Sequence, residues 1–214
     1  MKKDRRLLYI ITTLFVLSLL VIGTTSVIAQ KQPNSDDVLK QAALKKSDFP
    51  KNVEDFTFSS DKVKIEDFSE ENSFFTAPFR SEGFVDAYRV NGWYPLTLKD
   101  DASKDLSQGA FVENMVYLFE NHEQATKAYQ KQIEQYNSES KNLDKTKEDI
   151  LYDNLRGEKV QAKYIREDID FSVHLFIGLV DNRVVLLMVD GVSDSVVQST
   201  FDDLTTTLTN HQFE

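Results

Sequence analysis

The side chains best suited to hold a metal or move a proton are three histidines, His122, His174 and His211, and they are scattered along the chain. His122-Glu123 begins like a zinc-protease helix, in which two histidines four residues apart share a face and the intervening Glu activates water. The position that would complete the pair is Thr126. His174 stands in an apolar run between Val173 and Leu175, which suits a hydrogen-bonded strand histidine rather than a catalytic one. Asp168 and Asp170 suit a turn between two strands, since a catalytic carboxylate pair is defined by separation in space. Glu66, Asp67, Glu70 and Glu71 lack the regular oxygen ladder around a Gly that a calcium loop requires. Neither Gly-x-Ser-x-Gly nor a Gly-rich phosphate loop occurs among the seven glycines. With no Cys, disulfides, thiolate metal sites and cysteine nucleophiles are excluded. No catalytic residue, metal site or cofactor is therefore predicted, and the chain does not read as an enzyme.

A different constellation is aromatic. Phe74, Phe75, Phe79, Phe84, Tyr88, Trp93 and Tyr94 fall within 21 residues, with Arg80 and Arg89 beside them. Most must fill the core, because a domain without crosslinks needs large residues to bury. Trp93 and Tyr94 are adjacent, so on a strand they face opposite sides and enter one core only if the strand is covered on both faces. The candidate binding surface is therefore Trp93, Tyr94, Arg89 and Tyr88, placed on a pocket rim or recognition face. Asn91-Gly92 lies between the runs 84–90 and 93–98, and this pair tolerates the positive φ values of a type I′ turn, so a β-hairpin is expected there. Pro95 would put the second strand at an edge.

Residues 7–29 decide where these side chains fold. The stretch follows Lys2, Lys3, Arg5 and Arg6, and 24 uncharged residues separate Arg6 from Lys31. That is enough to cross a hydrocarbon core of about 30 Å at about 1.5 Å per residue. The basic flank stays in the cytoplasm and the C-terminal side is exported. Read as an anchor, 7–29 tethers the chain in the membrane; read as a signal peptide, it is cut after Ala29 and the domain is secreted. Residues 30–35 form a linker, and 36–214 a single exported domain. Removing the leader's four basic residues and one acidic residue from the totals of 25 and 35 leaves 21 against 34, a net of −13. Such a surface excludes nucleic acid, which is bound by neutralising phosphates, and docking on anionic lipid.

Ser35 is expected to cap a first helix carrying Val38, Leu39, Ala42 and Ala43 on one stripe and ending near Lys46. Phe56-x-Phe58 and Val63-x-Ile65 alternate as two short strands. Residues 110–119 read as an inner strand covered on both sides. Asn121 and Gln124 then open an amphipathic helix of about twenty residues, which fades in the polar stretch 137–149. Val160-x-Ala162-x-Tyr164 is a strand. The runs 171–180 and 184–189, turned at Asp181-Asn182, are apolar enough for the sheet centre. Ser193 or Ser195 caps a closing helix built on Val197, Phe201, Leu204 and Leu208.

The first helix followed by Lys46-Ser47-Asp48-Phe49-Pro50, then Val116-Tyr117-Leu118-Phe119 running into a helix with Ala125 and Ala128, then the apolar hairpin 171–189 and a closing helix, resembles the small exported bacterial domains related to PsbP-like proteins. It is also similar to the extracellular sensor domains of receptor-type serine/threonine kinases, which carry disulfides that this Cys-free chain lacks. The resemblance implies an antiparallel sheet flanked by helices, used for binding or sensing. The expected fold is α+β, an antiparallel sheet of about 5–7 strands flanked by helices and preceded by the N-terminal membrane or signal helix. The expected function is a membrane-tethered extracytoplasmic binding or sensor-like module, with a small ligand or an envelope protein as partner. The alternatives are an exported carboxylate-dependent hydrolase and a structural partner in a cell-envelope complex.

Overall fold

In the computed structural model, the described residues are 34–49, 56–68, 75–94, 109–139, 144–152, 155–166 and 169–211. They form an α+β architecture. Helix α1 (Ser35–Ala42) leads into strands β1 (Thr57–Lys62), β2 (Phe84–Tyr94) and β3 (Ala110–Phe119) and helix α2 (His122–Glu139). Strands β4 (Asp144–Tyr152), β5 (Leu155–Arg166), β6 (Ile169–Val180) and β7 (Arg183–Gly191) follow, and helix α3 (Asp194–His211) closes the chain. The seven strands make one sheet in the order β1-β2-β3-β7-β6-β5-β4, every neighbouring pair antiparallel. The expected leader 7–29 and Pro95 lie outside the described residues, and among those residues no helix is long and apolar enough to cross a membrane.

Alternation along the strands gives the sheet two cores. On one face Tyr88, Val90, Val112, Val116, Phe176 and Leu187 pack beneath α1 and α3. On the other, Ala87, Met115, Tyr117, Phe119, Ile177 and Leu186 pack beneath α2 and the 3-10 turn Pro78–Arg80. As expected, β7 lies at the sheet centre with β6 beside it, and β3 is buried on both faces. Asp181, at φ 51°, turns β6 into β7. This turn clamps the junction between β3 and α2: Phe119 N–H donates to the Asn182 carbonyl at 2.9 Å, and the Asn182 amide donates to the Phe119 carbonyl at 2.7 Å. Helix α2 opens with Gln124 N–H donating to Asn121 Oδ1 at 3.1 Å, and the carbonyl of Ser193 caps α3 by accepting from Val196 and Val197.

Asn91-Gly92 is not a turn. Both residues lie inside β2, where Asn91 pairs with Ser59 and Glu113, and Gly92 with Phe58 and Val112. Glycine is required for close approach rather than for positive φ: a Cβ at Gly92 would stand 2.8 Å from Phe49 Cε1 and 3.3 Å from Phe56 Cε2. Local turn preference has yielded to two aromatic rings packed against the backbone.

Helix α1 stops at Ala42 instead of near Lys46, because Asn114 Oδ1 on β3 accepts the Leu44 N–H at 2.9 Å and draws the chain off its helical path. The Ser35 hydroxyl donates across to Asp86 at 3.2 Å rather than capping its own helix. Val63 and Ile65 do not make a second strand: Asp67 accepts the Lys64 N–H at 2.6 Å and tightens Ile65–Asp67 into a 3-10 turn. The polar stretch after α2 is not a simple fade-out but contains β4, an edge strand whose sequence DKTKEDILY conceals its ladder. Charge is tolerated, and protective, at an edge.

Candidate binding surface

The predicted residues separate by face. Tyr88 is 8% exposed and belongs to the core beneath α1 and α3, so it is not part of a surface. Arg89 and Trp93 lie on the opposite face of β2, both half-buried, while Tyr94 ends the strand opposite Ala110. The hairpin expected to carry this surface does not form, since Asn91 and Gly92 are mid-strand. Among the described residues Val85 is the one exposed large hydrophobic, so no apolar patch surrounds Trp93.

The register around Arg89 and Trp93 brings together a group the sequence reading passed over. Asn91 stands opposite Glu113 on β3, and Glu113 opposite Met188 on β7. One row further along the same face, Trp93 stands opposite Phe111, and Phe111 opposite Asp190. Arg89 and Asp190 thus flank Glu113 on opposite diagonals, a spacing of about 7–8 Å in an antiparallel sheet. Asn91, Arg89, Met188 and Asp190 are all half-buried. Glu113, at their centre, is only 8% exposed.

Asn114 and Glu113 are adjacent polar residues on a buried strand with opposite fates. Asn114 is fully buried and satisfied, accepting from Leu44 N–H and donating to the Leu186 carbonyl at 2.9 Å. It is structural. The Glu113 carboxyl takes no hydrogen bond among the described residues. Burial pushes its pKa up from 4.5 to about 7, with Arg89's positive charge opposing the rise and Asp190's negative charge adding to it. Arg89 reaches Asp61 at 3.4 Å and lies 5.5 Å from the centre of the Phe68 ring, leaving its buried Nε without a partner. The buried Asn91 Oδ1 is likewise unpartnered. A buried carboxyl without a hydrogen bond costs stability, so this patch is where the fold gives way to another demand.

The signal for Glu113 was present in the sequence: an acidic residue at the centre of the apolar run AFVENMVYLF. Asn91 was read as a turn, and Asp190 falls just past the apolar run 184–189, which hid both.

The remaining candidates are structural. Ser172 donates to Asp194 at 2.7 Å, and His174, 3.8 Å from the same carboxylate, meets the Phe201 ring edge-on at 5.4 Å, together seating the start of α3 on β6. His211 lies 3.6 Å from Asp48 and holds the other end of α3. His122 contacts the Asp181 carbonyl at 2.5 Å. Asp170 pairs with Ile165 in the β5–β6 ladder, while Asp168, Glu70 and Glu71 lie outside the described residues. Among the described residues no three His, Asp or Glu side chains group as metal ligands.

No protein-family model and no curated protein matches the sequence. Among solved structures, the chain is similar to the extracellular domain of PknH from Mycobacterium tuberculosis, at 10% identity and a TM-score of 0.46, over 84% of this chain and 98% of that one. It is also similar to PA94, a protein of unknown function from Pseudomonas aeruginosa, at 12% identity and a TM-score of 0.30, over 75% of this chain and 85% of that one. Both likenesses are too distant to carry a function across, and the reading of the chain rests on its own geometry.

Proposed function

We propose that the chain is an extracytoplasmic binding or sensor-like module, membrane-tethered through 7–29, whose domain 36–214 takes a small polar ligand on the Arg89, Asn91, Glu113 and Asp190 patch, with Trp93 at its margin. The observation that carries the reading is Glu113: a carboxyl 8% exposed, without a hydrogen bond among the described residues, beside two buried polar atoms that also lack partners. A buried polar group without a partner is costly, and a ligand that supplies one recovers that free energy on binding. Thermal unfolding of the full chain against a metabolite panel tests this reading, since anything that binds only the native state raises the melting temperature. A compound that stabilises the wild type and not Glu113→Gln supports the proposal; a panel whose every hit stabilises both alike refutes it.

One observation favours the hydrolase alternative. Glu113, raised to about 7, shares a face with Asp190, and two neighbouring carboxyl groups, one of them protonated near neutral pH, are what an acid and a base require. No histidine joins them, since His122, His174 and His211 each serve a helix end. Turnover of chromogenic esters or glycosides that disappears in both Glu113→Gln and Asp190→Asn would establish this alternative instead.

A further inference from the structure

Glu113 lies beside two atoms of β2 that are sealed from solvent and take no hydrogen bond, and the two are opposite in kind. Asn91 Oδ1 is an acceptor, on the residue directly across from Glu113. Arg89 Nε is a donor, on the diagonal residue of the same face. Directly opposed Cβ atoms stand about 4.5–5.5 Å apart and diagonal ones about 7–8 Å, so a change of Glu113 rotamer turns its carboxyl toward either group. A carboxyl inverts its hydrogen-bonding sense with a single proton: neutral it can donate, ionised it only accepts. Neutral Glu113 therefore matches Asn91. Ionised, it would set one acceptor against another there, and it matches Arg89 instead, through a charge-assisted bond.

We propose that Glu113 is a proton-operated latch on this face: with its proton it donates to Asn91 Oδ1, and without it the carboxylate swings to accept from Arg89 Nε. The latch goes beyond the ligand reading and stands without it, since Glu113 and the two β2 residues supply every group. Arg89 already meets Asp61 at 3.4 Å through a terminal nitrogen, so the ionised state ties carboxylates of β1 and β3 to one guanidinium across β2. The Phe68 ring, 5.5 Å from the guanidinium carbon, covers this bridge. The charged groups acting on Glu113 are Arg89 from β2 and Asp190 from β7, with Asp61 on β1 acting through Arg89. Its own strand adds Tyr117, and α2, packed on the same face, adds the buried Tyr129 and Tyr136. Burial and the Asp190 charge favour the proton while Arg89 opposes it, which puts the changeover at about pH 7.

The test is a nuclear magnetic resonance titration of the full chain from about pH 5 to about pH 9, bracketing the raised carboxyl. It follows the Glu113 carboxyl carbon, the Arg89 Nε–H proton and the Asn91 side-chain carbonyl carbon. All three are expected to move with one midpoint near pH 7, the Arg89 proton shifting downfield on the alkaline side as it gains a carboxylate. Asn91→Ala removes the acceptor of the neutral form and should lower the Glu113 midpoint by about half a unit to one unit, the equivalent of one hydrogen bond. Burial alone would leave that midpoint unchanged. Arg89→Gln should raise it. Glu113→Gln, whose amide always donates, should hold Arg89 and Asn91 at their acid-side positions throughout. A midpoint indifferent to Asn91→Ala, or an Arg89 proton that keeps its shift while Glu113 titrates, overturns the latch. Should Asn91→Ala fail to fold, the latch stands only if Arg89 and Asn91 both titrate in the wild type and neither does in Glu113→Gln; any other pattern overturns it.

Discussion

Replacing Glu113 by Gln should make the protein more stable at neutral and mildly alkaline pH, and the size of the gain follows from where the carboxyl sits. The folded state holds this proton with a pKa of about 7, against 4.5 for the carboxyl in an exposed chain. A raised pKa means the native state binds the proton more tightly than the unfolded state. The side chain therefore costs nothing below the unfolded value, a progressively larger amount as pH climbs from 4.5 to about 7, and a constant amount above that. At about 1.36 kcal/mol for each pH unit between the two values, the plateau is about 3 kcal/mol. Gln keeps the size and polarity but never ionises. Urea unfolding of both proteins at about pH 4.5 and about pH 8 measures it: the two should nearly coincide at the acid pH, and the variant should lead by about 3 kcal/mol at the alkaline one. Because every other carboxyl is common to both proteins, the difference isolates Glu113. A gap that is the same at both pH values would refute the assignment of a buried carboxyl with a raised pKa at this position.

Three further results are expected. Gly92→Ala should lower stability by about 1–3 kcal/mol in the same urea assay, since the new methyl meets Phe49 in a packed core, whereas a type I′ turn position would suffer through φ instead. Asn114→Ala should cost about 2–4 kcal/mol by leaving the Leu44 N–H and the Leu186 carbonyl buried without their partner, again read from the urea midpoint. If 7–29 is the proposed uncleaved anchor, N-terminal sequencing of the native protein should find no chain beginning at Gln30.

What the sequence disclosed, and what it concealed, follows from the range of the forces involved. The inner strands, the Asp181-Asn182 turn, the Asn121 cap and the α3 stripe were legible because each is fixed by neighbours within a turn or by alternation along one strand. The Asn91-Gly92 hairpin was misread because the forces that overrule it, the rings of Phe49 and Phe56, come from distant stretches of chain. Strand β4 escaped notice because an edge strand tolerates a polar composition that a central one does not. At the candidate site, Arg89 and Trp93 were legible as types that recognise ligands. Asn91, Glu113 and Asp190 were not, since their meeting depends on how β2, β3 and β7 pair, and register between strands far apart in sequence leaves no local signature. Tyr88 was placed wrongly for a simpler reason: once Asn91-Gly92 is taken as a turn, β2 is cut short and its inner face is lost.

The pairing of β3 with β7 also governs how the chain reaches its folded state. It brings Asn114 to the Leu186 carbonyl across 72 residues, and α2 packs mainly on β6 and β7, strands made after it. The first half therefore emerges with a helix that has only β3 and the Pro78–Arg80 turn to rest on. Closing a loop of that length costs about 4 kcal/mol in chain entropy before any contact repays it. Folding of this domain is accordingly governed by long-range contacts, slow for its size, and complete only when the last helix has been made. Neither the segment through α2 nor the one from β4 onward should acquire a cooperative unfolding transition alone, and during synthesis the earlier strands must wait with unpaired edges for β7 to arrive.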